Sequence, residues 1–535
     1  MDARAEQAQR AGAHRATGDL AAGHAAPVEA APRPVRQLVP VLLVVLVAAL
    51  DVTVIAPILP AVLVDLRVNS AEADRYVWIV SGYLLAYTLT IPVMGRVSDI
   101  FGRRATFLVA LGVFLAGSAA CAVAGSLPAI IAARVLQGLG GGAMVPVAMA
   151  AVGDLLPPAR RAGALGVVAA VDTLGWVLGP LWGAAIEQLT GDWRWIFALN
   201  LPIGAAAALV LARLWRGAPL AGPRRAPFDL PGALLLTAAL LCLSLGLSVT
   251  AELPGGANRA LGAAPNPLSA YRLPLVTAGI VAFAGLVAVE WRAAHPLIPL
   301  GLFGQRRFAA GNVTNFLIGA ALMVAMVNVP LLTALQVDAA QVSRVSAELL
   351  GTFSLAMGLG ALAGGRAAER LGDVGVTLAG LLVAAGGFWH MSGWGDAFAR
   401  PRMVLDLAVT GAGVGLVIAP IAAVAINAAR RGDLGIASGI VLAMRLLGMT
   451  LGISALTAWG VDRLNHALRS LPPVTQQPGE SLTAYLARQQ ELAVQYAIPA
   501  TMAVIRDTFA AAALICLVAI IPALLLARRS GRARG

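Results

Sequence analysis

The sequence predicts an all-α polytopic membrane protein that consists of two six-helix bundles joined by two linker helices. Its 535 residues are 59% hydrophobic and only 12% charged, and the mean hydropathy is +0.81. Soluble proteins carry about 25% charged residues. Apolar runs of about 20 residues, the length at which a helix crosses a bilayer, recur between residues 37 and 528. The short alternating segments of a transmembrane barrel are not seen in the sequence.

The apolar runs predict fourteen transmembrane helices. They are 38–60, 76–95, 104–124, 129–152, 161–187, 195–215, 229–250, 273–292, 309–335, 346–367, 376–394, 402–428, 435–459 and 506–528. With the N-terminus in the cytoplasm, the cytoplasmic segments hold 25 arginines and the outer segments hold 12, while Arg134 and Arg445 lie within spans. This asymmetry follows the positive-inside rule and places both termini in the cytoplasm.

Composition shifts predict the domain boundaries. We expect a disordered cytoplasmic tail (1–36), an N-terminal bundle (37–216), two linker helices (217–307), a C-terminal bundle (308–528) and a short cytoplasmic tail (529–535). The linker helices are flanked by Pro- and Gly-rich segments. Paired six-helix halves are an architecture of secondary transporters.

The last outer segment, 461–505, is much longer than the other outer loops. Its stretch ESLTAYLARQQELAVQYAI has apolar residues at helical spacing and good helix formers. We therefore expect the last two helices to extend beyond the membrane as a long hairpin. The alternative is an irregular loop.

The basic residues and the histidines exclude several functions. The chain has no lysine, and all 39 of its basic residues are arginine. A phosphate-binding loop needs a lysine, and a Schiff-base enzyme needs an amine. An ATP-driven motor is thus excluded, and we expect no cofactor, no metal and an ion gradient as the energy source. The net charge of +12 follows the membrane topology and does not indicate nucleic acid. The five histidines lack convincing catalytic partners, so we expect no enzyme.

The loop after the second span reads GRVSDIFGRRATF. Gly95 and Gly102 permit close backbone approach, and Asp99 can sit at a helix N-terminus of the other half. Arg103 and Arg104 are expected to face the cytoplasm. The pattern G-x-x-x-D-x-x-G-R-R resembles a signature of the major facilitator superfamily. The resemblance implies that this loop latches the outward-open state, whereas the alternative is a solvated basic loop.

The fourth predicted helix contains RVLQGLGGGAMVP, which resembles the superfamily's R-x-x-Q-G motif and places Arg134 inside the membrane. A buried arginine is costly and is almost always paired or faces a cavity. Asp154, near the cytoplasmic end of the same helix, is expected within reach of the latch arginines. We interpret that pairing as a structural switch.

The fifth predicted helix contains GWVLGPLWGA. It resembles the antiporter signature G-x-x-x-G-P-x-x-G-G, with Ala184 in place of the last glycine. Gly175, Gly179, Pro180 and Gly183 allow helices to pack closely and to bend. The resemblance implies export.

Two further segments, DWRWIFALNLPIG and EWRAAHPLIPLGLFGQRRFAAGN, resemble the fourteen-span drug:proton antiporter branch, and the resemblance extends over about 38–528. Within that branch, segments such as GLLVAAGGFWHMSGW and the long last outer loop are similar to mycobacterial pumps that export triacylglyceride-type lipids. The resemblance implies a lipid or drug cargo, a bacterial cytoplasmic membrane, a monomer and an extracytoplasmic lipoprotein partner. It also implies acidic residues in helices one and five and an arginine in helix eleven, which match Asp51, Asp172 and Arg445.

Asp51 stands 11 residues after Pro40, about 16 Å along a helix and therefore near the bilayer midplane. Asp172 and Arg445 are also central in their helices. A charge at that depth costs about 2.5–3.5 kcal/mol on insertion scales, so these groups should face one another or a wet cavity. We expect Asp51 and Asp172 to carry protons, with Arg445 and Arg134 as counter-charges. The alternative is structural ion pairs that keep the helices in register.

The sequence thus favours a proton-coupled secondary active exporter of lipophilic compounds, either triacylglyceride-like lipids or amphipathic drugs, working by alternating access. Intramembrane acids with few other polar groups suit an apolar cargo. The competing hypothesis is an uncoupled lipid scramblase or a scaffold on the same fold. His390 and Asp406, near the outer ends of their spans, are expected to be interfacial residues.

Overall fold

The computed structural model describes residues 34–67, 77–216, 218–223, 227–248, 271–395, 398–430, 433–469 and 481–527. These residues form seventeen α-helices, one 3₁₀ turn (Leu300–Leu302) and connecting segments. The helices are α1 (Pro34–Thr53), α2 (Ile55–Asp65), α3 (Val77–Phe101), α4 (Arg103–Ala122), α5 (Leu127–Leu155), α6 (Pro158–Thr190), α7 (Arg194–Ala198), α8 (Asn200–Leu214), α9 (Leu230–Ser248), α10 (Arg272–Arg292), α11 (Arg306–Gln336), α12 (Ala339–Leu371), α13 (Asp373–Met391), α14 (Arg400–Ala428), α15 (Leu434–Arg469), α16 (Leu482–Val518) and α17 (Ile520–Leu524).

Twelve helical segments among the described residues are long and apolar enough to cross a membrane. Helices α7 and α8 form one of them together, and so do the inner part of α16 and α17. Two further apolar helices are shorter, Gln37–Thr53 within α1 and Leu230–Gly246 within α9. Each of the fourteen predicted spans overlaps one of these segments, and twelve of the segments are long enough to cross a membrane. The chain is an all-helical, multi-pass membrane protein.

The described helices reach into the predicted N-terminal tail and into the predicted outer hairpin. Helix α1 begins at Pro34, two residues before the predicted end of the N-terminal tail at Arg36. Helices α15 and α16 continue past their apolar windows, which end at Leu456 and begin at Ile498. The tip of the expected hairpin (470–480) and the expected tails (1–33 and 529–535) lie outside the described residues.

The two halves of the molecule share one apolar core at one end. Helices α1–α8 form the first half and α11–α17 the second, and the halves meet mainly where α3 packs on α15 and α6 on α12. The shared core joins Val152 of the first half to Ile426 and Leu434 of the second. Towards the opposite end, the first half has a separate core that includes Ile55 and Phe197. The halves are therefore joined at the end where α3 terminates and α15 begins, which we call the latch end.

Glycines bring the packed helices close together. On α6, a Cβ at Gly179 would lie 2.5 Å from the Leu50 carbonyl oxygen, and one at Gly183 would lie 2.6 Å from the Val54 carbonyl oxygen. Because helices in lipid associate through close van der Waals packing, these glycines fix the approach of α1 to α6. Gly175 belongs to the same contact and also packs against α1, while Pro180 lies within α6.

The linker helices α9 and α10 pack on each other and also cover a seam between the halves. Their apolar cluster includes Leu236 and Leu286 and contacts Leu89 and Val93 of α3 and Leu447 of α15. One element of each half therefore packs against the linker. The linker hairpin belongs to the α3–α15 side of the interface.

Replacing Gly179 by Ala should destabilise the protein because the new methyl group would clash with Thr53 and with the backbone of α1. An added core clash typically costs about 1–3 kcal/mol. We expect a clearly lower midpoint of thermal unfolding in detergent. The matched control is Gly112→Ala on α4, where nothing lies within 4 Å of the added atom and the midpoint should stay or rise. Equal midpoints for the two variants would contradict the close α1–α6 contact.

Candidate functional site

A cavity between the two halves brings Asp172 and Arg445 to a common space. Asp172 enters it from α6 in the first half, and Arg445 enters it from α15 in the second. The cavity has a volume of about 20 Å³, which is room for about one water molecule. Its other lining residues are Val145, Met149, Leu165, Val168, Ala169, Asn315, Ile418, Ala422, Val441 and Leu442. The wall is thus apolar except for one acid, one base and one amide.

The carboxylate of Asp172 is incompletely satisfied. Asp172 is half-buried, and its buried Oδ1 accepts no hydrogen bond within the described part of the chain. Arg445, also half-buried, forms no ion pair within 4 Å among the same residues. The amide of Asn315 is already committed, since Nδ2 donates to the Val441 carbonyl at 2.5 Å. Asp172 and Arg445 therefore both face the cavity. Oδ1 of Asp172 has no hydrogen bond and Arg445 has no ion pair among the described residues.

Asp51 lies in a different environment, a closed polar network within the first half. Its Oδ2 accepts a hydrogen bond from Nη1 of Arg134, and its Oδ1 accepts one from Nδ2 of Asn200 at 3.2 Å. Nη2 of Arg134 also donates to the Asp51 carbonyl at 3.1 Å. Asp51 is only 2% exposed and Arg134 is fully buried. Both carboxylate oxygens are therefore bonded.

The network extends from Arg134 to two neighbouring helices. Nη1 of Arg134 donates to Oε1 of Gln137 at 2.7 Å, and Nε2 of Gln137 donates to Oγ of Ser118 at 2.7 Å. Asn200 reaches the same Ser118 hydroxyl at 3.0 Å. The guanidinium of Arg134 lies 4.0 Å from the ring centroid of Tyr83, which favours a cation–π contact. Gln137 is the glutamine of the R-x-x-Q-G motif, but sequence reasoning did not identify Ser118 or Asn200, because nothing in the sequence tells which helices meet.

The two acids thus do not share one cavity in this structure. Asp172 borders the space between the halves, whereas Asp51 is not among its lining residues. Both lie inside the helix bundle rather than on its outer surface. Among the described residues, no three His, Cys, Asp or Glu side chains cluster as metal ligands would.

At the latch end, Asp99 binds the N-terminus of a helix from the other half. Its two carboxylate oxygens accept hydrogen bonds from the backbone N–H groups of Gly435 (2.9 Å) and Ile436 (2.8 Å), in the first turn of α15. These groups have no partner within their own helix, and the helix dipole favours a negative charge there. Gly95 lies against Gly435, where a Cβ on Gly95 would be 2.9 Å from the Gly435 carbonyl carbon. The glycines let α3 come close enough for the contact.

The prediction that Arg103 faces the cytoplasm is wrong. Arg103 is fully buried and lies 2.5 Å from Asp99 and 3.1 Å from Asp154 of α5. It also donates from Nη1 to Oγ of Ser98 at 2.7 Å. A guanidinium between two carboxylates is stable in the apolar interior, because each carboxylate offsets the cost of desolvating it. Arg104 is half-buried and donates to the Ala212 carbonyl at 3.0 Å.

Gly102 makes the sharp connection between α3 and α4. Its φ is +89°, a backbone conformation that favours glycine. The tight turn places Arg103 directly at the start of α4, beside Asp99 at the end of α3.

Further contacts between the halves surround the latch. Arg96 lies 3.2 Å from Asp433, and Nη1 of Arg161 donates to Oδ1 of Asn427 at 2.7 Å. On the α6–α12 side, the Gly163 N–H donates to Glu369 at 3.1 Å. Sequence reasoning missed these pairs because each joins residues more than 200 positions apart.

At the opposite end, Asp406 is buried among the side chains of neighbouring helices. Its Oδ1 lies 2.7 Å from Nδ1 of His390, and its Oδ2 accepts a hydrogen bond from Nε1 of Trp394 at 2.8 Å. His390 itself is 59% exposed, as expected of an interfacial residue. Asp406 is only 6% exposed because α13 and the segment after it cover one side of α14.

Asp51→Ala should strongly destabilise the protein because it leaves the buried Arg134 guanidinium without its carboxylate. Breaking a buried ion pair in this way costs about 3–5 kcal/mol. Asp65→Ala is the matched control, since Asp65 is 45% exposed and pairs with Arg194 near the surface, where loss should cost at most about 1 kcal/mol. The measurement is the thermal unfolding midpoint of each purified variant. Similar midpoints would show that the Asp51 network does not stabilise the fold.

Asp99→Asn should open the latch end. The amide of Asn has one acceptor oxygen in place of two, and it lacks the negative charge that the helix N-terminus favours. Hydrogen bonds to charged groups contribute about 1.5–3 kcal/mol, so the closed population should fall by about tenfold or more. Spin labels on the exposed residues Ala105 and Leu371, one in each half, report the separation by pulsed electron resonance. Asp192→Asn, at the other end, should leave the distance distribution unchanged. An unchanged distribution in Asp99→Asn would exclude the latch.

Comparisons with known proteins agree with this architecture. A family model described as the Major Facilitator Superfamily matches residues 41–304. A probable triacylglyceride transporter of Mycobacterium leprae is 34% identical over 512 residues, covering 92% of this chain and 96% of that protein. A triacylglyceride transporter of Mycobacterium tuberculosis (strain H37Rv) is 35% identical over 516 residues, covering 92% and 94%.

Solved structures share the fold at low sequence identity. The human organic anion transporter MFSD10 aligns with a TM-score of 0.60 at 19% identity, over 93% of this chain and all of that chain. The proton:xylose symporter XylE aligns with a TM-score of 0.53 at 14% identity, over 90% and 94%. Together with the long matches to curated relatives, these similarities show that the chain belongs to the major facilitator superfamily of transporters and is not an enzyme.

Proposed function

We propose that this protein is a proton-coupled secondary active exporter of lipophilic compounds, most of all triacylglyceride-like lipids, and that it works by alternating access. The observation that supports it best is the facing of Asp172 and Arg445 across an apolar cavity between the halves. A titratable group and its counter-charge stand there on two bodies that can move relative to each other. Amphipathic drugs are a second class of cargo for the same cavity.

The wall of this cavity, which must widen before any cargo enters, supports an apolar cargo. Its lining includes aliphatic or small side chains from both halves, with Asn315 as the one neutral polar side chain, and that side chain already donates to the backbone. A sugar-like substrate would need several unpaired hydrogen-bonding groups. The curated relatives are named as triacylglyceride transporters, which is consistent with a lipid cargo here.

For proton coupling, we propose that Asp172 binds and releases the proton as its exposure changes. A carboxylate taken from water favours the neutral form, and a nearby guanidinium favours the ionised form. When the halves rock, the distance between Asp172 and Arg445 changes, so the proton affinity changes with it. We propose Asp51 as a second proton site, which requires its bonds with Arg134 and Asn200 to open. We propose that the proton gradient is the only energy source required, without any cofactor.

The arginine distribution also bears on the membrane and the orientation of the protein. We propose that the protein lies in the cytoplasmic membrane of a bacterium with both termini inside, in accord with the arginine bias. The latch end is then cytoplasmic, and closure there corresponds to a state closed to the cytoplasm. We propose a monomer that delivers its cargo to an extracytoplasmic lipoprotein.

Transport should be measured in proteoliposomes as redistribution of a fluorescent acylglycerol between leaflets, with and without a pH gradient. Asp172→Asn should lower gradient-driven transport by about tenfold or more, since coupling free energies correspond to about 5- to 150-fold effects. The control is Asp338→Asn, an exposed residue whose side chain does not cap its helix, which should transport like the wild type.

The same experiment separates the competing function. An uncoupled scramblase would move the lipid equally well without a gradient, and Asp172→Asn would not change its rate. If both Asp51→Asn and Asp172→Asn keep gradient-driven transport, the proton assignment is wrong while lipid transport stands.

A further inference from the structure

A groove on the outer surface of the second half lies far from the central cavity and shares no residue with it. It runs between α13, α15 and α16 and has a volume of about 440 Å³, within the range of about 300–1,000 Å³ typical of ligand pockets. Its lining residues are Trp389, Trp459, Arg463, Asp507, Ala510, Ala511, Ala513, Leu514 and Leu517.

The apolar lining of the groove along α16 suits an acyl chain. Its floor is formed by small side chains of α16, Ala510, Ala511 and Ala513, and Leu514 and Leu517 stand exposed beside them. Along α16, the distance from Asp507 to Leu517 is about 15 Å. This length suits the part of an acyl chain nearest the headgroup, lying parallel to the helix.

The outer rim of the groove presents two opposite charges side by side. Nε of Arg463 lies 2.6 Å from Oδ2 of Asp507, and the two side chains are 57% and 38% exposed. The Arg463 guanidinium also lies 5.7 Å from the ring of Trp459. Within the described part of the chain, its two terminal nitrogens form no further hydrogen bond or ion pair. They can therefore bind an external group.

The rim lies where lipid headgroups are expected. Trp389 and Trp459 are exposed on the two sides of the groove, near the ends of α13 and of the apolar window of α15. Tryptophan is enriched at this level of the membrane because its ring is apolar and its N–H is polar. A lipid whose chain lies in the groove would thus place its headgroup at Arg463 and Asp507.

We propose that this groove is a binding site for a zwitterionic phospholipid with a primary ammonium headgroup, such as phosphatidylethanolamine. The phosphate binds the terminal nitrogens of Arg463, and the ammonium binds the Asp507 carboxylate. An anionic phospholipid would leave Asp507 facing a like charge, and an uncharged acylglycerol would match neither residue. The site does not depend on the cargo or the coupling of the transporter.

Native mass spectrometry of the full-length protein in detergent can test the site by titration with phosphatidylethanolamine, phosphatidylglycerol or diacylglycerol. We expect the wild type to retain phosphatidylethanolamine over phosphatidylglycerol by about threefold, the size of an exposed charge interaction. Asp507→Asn should reverse that preference, because Arg463 then stands alone as a cation. Arg463→Gln should lower binding of both phospholipids, and Ala510→Leu should lower binding of all three lipids.

Two matched controls test whether the effects belong to the groove. Glu348 pairs with Arg400 elsewhere at the outer end, at exposures of 38% and 49%, so Glu348→Gln removes a similar acid without altering the groove. It should keep the preference of the wild type. Ala116→Leu, on the exposed face of α4, should likewise change nothing.

The proposal is overturned if the wild type retains the three lipids equally, since that outcome indicates annular lipid only. It is also overturned if Asp507→Asn leaves the headgroup preference unchanged. Unaltered lipid retention in Ala510→Leu would equally exclude the groove as the place where the chain binds.

Discussion

The cost of burying an ionised side chain in an apolar interior is the constraint on which the rest of this structure depends. For Asp51 and Arg134, the ion pair between them and hydrogen bonds to neighbouring amide groups offset that cost. At the latch end, ion pairs with two carboxylates offset the cost of burying Arg103. Asp172 and Arg445 depart from the pattern, because they face a cavity with bonding capacity unused. Groups in that condition respond most to a change in hydration.

Helix α15 connects the latch to this cavity mechanically. Its first turn donates hydrogen bonds to Asp99, and Arg445 lies 11 residues after its first residue, about 16 Å further along the same helix. If α15 moves as a rigid body, separation from α3 at the latch would also move Arg445 relative to α6. The close contact of Gly95 with Gly435 allows this geometry, since any side chain there would hold the rods apart.

The sequence was sufficient to predict the helices and the two halves, because these follow from apolar run length and residue count. It also predicted that Asp99 binds a helix N-terminus of the other half, since the motif carries that information. It could not predict that Arg103 is buried or that Asp406 contacts Trp394, because both depend on how each helix is rotated against its neighbours. For the same reason, the partners Asn200 and Ser118 of the Asp51 network were not foreseen.

The two membrane acids differ in how rigid-body motion would affect them. Every described partner of the Asp51 carboxylate, Arg134 and Asn200 included, belongs to the same half, so a rotation of one half against the other leaves these contacts in place. Asp172 faces a counter-charge on the opposite half, and any such rotation changes its surroundings. If the halves move as rigid bodies, the proton binding that we propose at Asp172 would therefore be coupled to the motion directly. Proton binding at Asp51 is coupled to it only if the first half itself rearranges.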